Sequence, residues 1–375
     1  MSDNIEDVHA PARTEPKPIK LRRSRDEATR EGDGMNLAAS WYVAMPSSRL
    51  GRSPMAVELF GKDLVAWRDR NGHPVLMDRY CSHLGMNLSL GKIVDGCIQC
   101  PAHHWKFDRS GQCVANQGWG EPIPKTAHQR TYELVERCGY IWVWYGTQSP
   151  LFPLPTFQPM GEASSGFLVS RFMIDTKTTV RKIIEDGYDI LHMSGLHNIQ
   201  VSAPIRLTID DEDHPVNDGT SPVAQEARFA GRIEFDVKQW YGIPGILANA
   251  LGISISSALI YNDTWPSGHC VRVLLDGVER YQFMVCVTPV SKNRTIQHVV
   301  NATRKTRAPL MDRVRHAGFT FANFHEFHAD LPLWNTTNPG KGGAYTKFDK
   351  GILGFRSFYQ SWVDKVEWDE SPGYG

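Results

Sequence analysis

Apolar residues follow two rhythms along the chain. Between about residues 37 and 146 they come in short runs, at 41–45, 65–67, 75–77 and 140–145, separated by Gly, Asn and Pro. Runs of that length between turn residues predict strands. Residues 139–146, GYIWVWYG, are β-formers between glycines and predict a buried strand. Pro150, Pro153, Pro155 and Pro159 then break the pattern and predict a linker. Strand-like runs resume at 167–174, about 228–237, 271–275, 281–290 and 296–300, as an antiparallel sheet requires. Residues 177–192 have helical character, and 310–330 predict a long helix ending before Pro332. Near the end Ile352, Phe355, Phe358, Tyr359, Trp362 and Val366 recur mostly at three and four residues, the stripe of an amphipathic helix.

This order predicts an all-β domain over 37–150, a linker over 151–164 and an α+β domain over 165–375, its sheet flanked by helices. Residues 1–36 are charged and Pro-containing, and are expected to form a solvated, disordered arm. The arm lacks the apolar run of a secretory signal, and Asp3, Glu6, Asp7 and Glu15 argue against a transit peptide. The best membrane candidate, residues 246–260, is 15 residues long and broken by Asn249, Gly252 and three serines, too short and too polar to span.

Charge narrows the function. Lys+Arg and Asp+Glu both number 41 in 375 residues, and a balance of zero argues against a nucleic-acid binder. It also gives no reason to expect an anionic membrane as partner. The cysteines number 7, and 4 of them, Cys81, Cys97, Cys100 and Cys113, lie close together among histidines. That spacing reads as a metal site in a reducing cytoplasm rather than a disulfide framework. Cys113, Cys138, Cys270 and Cys286 read as core residues.

Cys81-Ser-His83 is followed, after a gap, by Cys100-Pro-Ala-His103. Each pair can give one thiolate and one imidazole from a tight loop, with Gly85 after the first pair and Pro101 inside the second. Thiolate with imidazole ligation suits a [2Fe–2S] cluster of raised potential, able to accept electrons from a ferredoxin or flavoprotein reductase. A structural zinc site is the alternative, but C-x-H is an odd spacing for a zinc finger. Cys97 reads as a bystander thiol, and His104 competes with His103.

Asp189, His192 and His197 form D-x2-H-x4-H. On a helix Asp189 and His192 would share a face, and Gly195 would let the chain turn to bring His197 round. Two histidines with one carboxylate make the facial triad of non-haem Fe(II) oxygenases. The distant carboxylate is expected from Asp330 in HADLPLW, with Glu326 as competitor, and His325 and His328 as solvated neighbours. Asp189 reads as a carboxylate that orients a ligand imidazole.

These residues resemble the Rieske non-haem iron oxygenases from about Leu37 onward. Within that family the similarity is to arylamine N-oxygenases. It is carried by LAASWYVAM (37–45), MDRYCSHLG (77–85), DGCIQCP (95–101), HHWKFD (103–108), GYIWVWYG (139–146), CVTPVS (286–291), GGAYTKFDK (342–350) and FYQSWVD (358–364), and thins over about 198–268. The resemblance implies a catalytic domain of helix-grip type. It implies a cluster on Cys81, His83, Cys100 and His103, and Fe(II) on His192, His197 and Asp330. Asp189 would link that iron to the cluster histidine of a neighbouring subunit in a homotrimer, with NAD(P)H as electron source through a separate reductase. The implied activity uses O2 to oxidise an aromatic amine to a nitro compound in secondary (antibiotic) metabolism. C–H hydroxylation or oxidative cyclisation of a natural product is the alternative, and an electron carrier without oxygenase chemistry is a third. Two positions depart from the wider family: Asp186 stands where Asn is common, and His104 where Gly is common.

Overall fold

In the computed structural model, which describes residues 35–117, 122–197, 199–210, 221–240, 245–246, 250, 252, 255–338 and 343–367, the short apolar runs are strands. They are β1 (Ser40–Pro46), β2 (Met55–Leu59), β3 (Lys62–Arg68), β4 (Pro74–Asp78), β5 (Lys92–Val94), β6 (Cys97–Gln99), β7 (Lys106–Phe107), β8 (Cys113–Ala115), β9 (Leu134–Arg137) and β10 (Tyr140–Tyr145). They pair antiparallel as three small sheets, β1-β10-β9, β2-β3-β4 and β5-β6-β7-β8. Tyr140 to Trp144 in β10 are all buried, as that run of β-formers predicts.

The second part is a larger antiparallel sheet. Its strands are β11 (Phe167–Thr176), β12 (Ile199–Val201), β13 (Arg206–Ile209), β14 (Phe229–Trp240), β15 (Ser257–Trp265), β16 (Gly268–Leu275), β17 (Val278–Ser291) and β18 (Arg294–Arg304). Their order is β11-β18-β17-β16-β15-β14-β12, with β13 also on β14. Helices α1 (Val180–Glu185), α2 (His192–Gly195), α3 (Pro309–Thr336) and α4 (Lys350–Val363) accompany the sheet. An all-β part followed by an α+β part is what the sequence predicts. Residues 1–34 of the expected arm, and much of 246–254, lie outside the described residues.

Polar bolts hold α3 across β11 and β18: Ser170 to Thr320 at 2.8 Å, Thr176 to Asn335 at 2.7 Å, and Asn323 to Asn301 at 2.6 Å. The C-terminal α4 returns to α1, where Arg356 grips buried Glu185 through two hydrogen bonds of 2.6 and 2.7 Å. Gly351 lets α4 approach this closely, since a Cβ there would lie 2.5 Å from Leu207 Cδ2 and 3.1 Å from Tyr188 Cβ.

Buried side chains form two clusters. One surrounds the cysteine loops, with Val65, Trp67, Met77, Leu88, Ile98 and Phe107. The other runs continuously from β1 and β10 into the large sheet. The two parts are therefore joined by core rather than by a hinge. Backbone bonds cross the seam, from Phe60 N–H to Pro289 O at 3.0 Å and from Ala39 N–H to Trp362 O at 2.9 Å.

Three elements differ from expectation. The helix expected over 177–192 is only α1, followed by a 3-10 turn at Asp186–Tyr188. The Asp189 carboxylate accepts the N–H groups of Leu191 at 3.1 Å and His192 at 3.3 Å, and so competes with helical pairing. Helix α3 does not stop before Pro332 but runs through it to Thr336. A proline near a helix end forfeits one hydrogen bond, and the packing of Trp334 and the Asn335 bond on β11 outweigh that loss. Strand β15 falls on the end of the apolar stretch over 246–260, where the run gives no period by which to recognise a strand.

Candidate metal centres

The two Cys/His loops are built alike. Gly85 N–H returns to Cys81 O at 2.8 Å, and His104 N–H returns to Cys100 O at 3.2 Å. The residue closing each loop is left-handed, Gly85 at φ +70° and His104 at φ +55°. That explains why glycine suits the His104 position, and why a histidine there is a tolerated exception. His104 Nδ1 is paired with Gln117 Nε2 at 2.7 Å, whereas the rings of His83 and His103 meet edge to face, centroids 4.8 Å apart.

Beneath those exposed imidazoles the Cys81 and Cys100 thiols meet in the core. Burial, with the Cys100 thiol beside it, pushes Cys81 up to about 12. Its thiolate therefore forms at neutral pH only if a cation replaces the proton. Two buried thiols under two exposed imidazoles fit a cluster with one end in the core and the other at the surface. Trp105 stacks flat on His83 at 4.3 Å, and Gln129 ties the first loop down by accepting Ser82 N–H at 2.9 Å.

The second constellation lies against the large sheet. Ligand atoms of His192, His197 and Asp330 lie within 4.8 Å of one another. His192 turns Nδ1 onto the backbone oxygen of Asp189, leaving Nε2 for a ligand role. His197 Nδ1 pairs with Glu326, and its Nε2 lies 3.5 Å from Asp330 Oδ1. Glu326 and Asp330, one helical turn apart on α3, therefore meet opposite edges of one imidazole, and only Asp330 joins the three-residue group. Asp330 Oδ1 is buried and has no hydrogen-bond partner among the described residues. Two imidazoles and an unpaired carboxylate oxygen so close together fit a single divalent iron.

The chain reaches this geometry by a route other than the expected one. Asp189 and His192 do not share a helix face, because Asp189 sits in the break after α1 with extended ψ of 92°. Gly195 is no left-handed hinge. His197 follows the short turn of α2, where Leu196 N–H bonds His192 O at 2.7 Å.

Residues 40–132 match the Rieske [2Fe–2S] domain family. The chain is 40% identical over 336 residues to aminopyrrolnitrin oxygenase PrnD of Pseudomonas fluorescens, covering 88% of this chain and 92% of that protein. It is 32% identical over 343 residues to cholesterol 7-desaturase of Drosophila melanogaster, covering 85% of this chain and 73% of the other. A solved structure of dicamba monooxygenase bound to dicamba superposes with a TM-score of 0.65 at 17% identity, over 87% of this chain and 97% of that one. This chain is a Rieske-type oxygenase. Such oxygenases carry a Rieske [2Fe–2S] cluster and a non-haem iron, with electrons from NAD(P)H through a reductase.

In this oxygenase His192 and Asp330 line a cavity of about 140 Å³ between α3 and the sheet. Ile183, Ile233, Ile260, Val271, Phe283 and Phe327 supply its apolar wall. Asp186, which departs from the wider family, lies near Asp189 and His192 and accepts Trp334 Nε1–H at 2.9 Å. Burial above all, with the Asp186 and Glu326 charges, raises Asp330 to about 7, against the opposing pull of His197. His325 is exposed, and His328 folds onto Phe324 with Nδ1 on its backbone oxygen at 2.7 Å. Of the other cysteines, Cys113, Cys270 and Cys286 are buried, while Cys97 and Cys138 are half-buried.

Sequence reasoning passed over Trp105, Gln129, Trp334 and His269. Trp105 lies inside the HHWKFD passage and was within reach. Trp334 likewise closes the HADLPLW passage, whereas Gln129 and His269 stand in no motif, and only the fold brings them to the centres.

Proposed function

We propose that this oxygenase oxidises an aromatic amine, through the hydroxylamine, to the nitro compound in secondary metabolism. The observation that carries the reading is the His192, His197 and Asp330 group, two of whose members, His192 and Asp330, line a cavity the size of one aromatic ring. The amine is favoured by the 40% identity to an aminopyrrolnitrin oxygenase along nearly the whole chain.

In this reading residues 37–150 form the Rieske domain, 151–164 the linker and 165–375 the catalytic domain. Cys81, His83, Cys100 and His103 hold the cluster, and His192, His197 and Asp330 hold the iron. A cluster held there would supply single electrons, and an iron held by the second group would supply the activation of O2. The chain's own part is positioning. Asp189 O fixes the His192 tautomer, Glu326 orients His197, and Trp334 holds Asp186 beside the group. The apolar walls keep water from the reacting atoms.

Asp189 is half-exposed, and His83 and His103 are exposed. Surface groups of this kind suit electron transfer between chains, from the cluster histidine of one subunit through Asp189 of the next. A cytoplasmic homotrimer with a ferredoxin or flavoprotein reductase as electron donor belongs to this proposal. No helix among the described residues is long and apolar enough to cross a membrane.

The test is a single turnover of the reduced holoenzyme with O2 and a panel of arylamines, products read by mass. A nitro or hydroxylamine product that disappears in Asp189→Ala is the expected result. Reoxidation of the cluster with every amine unchanged would remove the amine reading. C–H hydroxylation or oxidative cyclisation would then lead.

A further inference from the structure

His269 in β16 is 6% exposed, and neither ring nitrogen has a hydrogen-bond partner among the described residues. Buried polar atoms are nearly always paired, and an unpaired one costs free energy, so each exception asks for a reason. His269 lines the same cavity as His192 and Asp330. The close fit of Gly187 fixes its position. A Cβ on Gly187 would lie 3.3 Å from His269 Cε1 and 3.4 Å from Nδ1. Phe283 packs against the ring from the next strand, at 6.2 Å between centroids.

Each of the other neutral polar side chains of the cavity that can donate an N–H gives one to the protein itself. Asn262 donates to Gly187 O at 2.8 Å, Asn323 donates to Asn301 at 2.6 Å, and Trp334 donates to Asp186 at 2.9 Å. Asp330 and His192 belong to the metal group. Burial holds His269 down to about 4, so at neutral pH the ring is uncharged, with one N–H and one lone pair. The cavity, about 140 Å³, is close to an engineered apolar cavity of about 150 Å³ that takes up benzene.

We propose that His269 anchors the substrate, its unprotonated ring nitrogen accepting a hydrogen bond from the N–H of an aromatic amine whose ring fills the apolar part of the cavity. This rests on the amine-oxidation reading above and names the residue that recognises the amine. An arylamine has two N–H bonds and a nitrogen lone pair. One N–H given to His269 leaves the lone pair, where oxygen must be added, unengaged. A benzene-sized space selects a single ring at the reacting end.

The test uses aniline and toluene, which share a shape and differ in N–H against C–H. Calorimetric titration of the holoenzyme should show aniline binding about 10-fold tighter than toluene, the discrimination expected when a buried acceptor goes unpaired. His269→Phe should abolish the preference while the cluster absorbance and iron content stay unchanged. His269→Gln, which keeps an acceptor, should restore part of it. If His269→Phe does not hold its cluster, His269→Met, an adaptable side chain of similar volume, replaces it. Equal binding of the two compounds by the wild type, or a preference that survives in the Phe or Met variant, overturns the proposal. The outcomes separate from those above. An aniline preference with no oxidised product sinks the amine-oxidation reading alone, and oxidised amine without the preference sinks the role of His269 alone.

Discussion

At the residue scale the His192, His197 and Asp330 group holds protons that a bound cation would have to displace. Burial and the neighbouring carboxylates bring Asp330 to about 7. Burial works against a charge on His197, but Glu326, Asp330 and Asp186 outweigh it and raise its pKa. An iron held here would bind the carboxylate and the neutral imidazole, so as pH falls it would have to displace a proton from Asp330, and one from His197, whose pKa lies above its ordinary value. Iron affinity should therefore fall by about tenfold to a hundredfold for each pH unit below 7, measured by competition with a chelator. Asp330→Asn should flatten the slope and weaken binding, and an affinity independent of pH between 5.5 and 7 would contradict the assignment (~ one proton or more per iron). The residues of this group were legible because D-x2-H-x4-H is compact, and because Asp330 stands in a distinct passage. Their protonation was not, since it depends on Glu326 and Asp186 arriving from different elements. His269 was illegible for the same reason. A lone histidine in a strand has no spacing to read, and only Gly187 and the cavity give it meaning.

At the element scale the chain fixes its helices with a few buried pairs. Glu185 closes α1 and is 1% exposed. Burial pushes its pKa up, yet the Arg356 bonds and the charges of Arg181 and Lys182 hold it below the usual carboxylate range. Removing one partner of a buried pair leaves a charge without compensation. Arg356→Met should cost about 3 kcal/mol of stability in thermal unfolding, at the low end because Arg181 and Lys182 lie 3.7 and 3.6 Å from the carboxylate. The double variant Glu185→Gln/Arg356→Met should recover part of that loss, and a single variant as stable as the wild type would show α4 to be held by apolar packing alone. Because α1 leads directly to Asp186 and Asp189, the single variant should also lose iron more readily. Helix α4 was legible from its stripe, and Phe355, Tyr359 and Trp362 are buried as that stripe requires. The break after α1 was not, because side-chain capture of backbone N–H groups by Asp189 leaves no trace in hydrophobic period.

At the scale of the whole molecule, the two centres sit in different cores. The cluster loops belong to the smaller one, and the triad to the one that runs from β1 and β10 through the large sheet. The Cys/His loops present His83 and His103 outward, ringed by exposed Leu84, Met86 and Leu90, a surface suited to another protein rather than to the interior of its own chain. If electrons pass between subunits, a chain that cannot hold the cluster and a chain that cannot hold the iron should complement each other. His83→Ala supplies the first and His192→Ala the second. Each alone should form its remaining centre and show no turnover: the first with iron but without cluster absorbance, the second with the cluster but iron reduced. Unfolded together and refolded as mixed oligomers, they should regain amine oxidation, because some cluster-bearing subunits then adjoin iron-bearing ones. Mixing the folded proteins without subunit exchange should regain none. Mixed oligomers that stay inactive, with both centres present by absorbance and iron content, would mean that electrons pass within one chain and that Asp189 is no bridge between neighbours. Restored turnover that persists when Asp189→Ala is added to the iron-bearing chain would keep the subunit crossing but assign it to another residue.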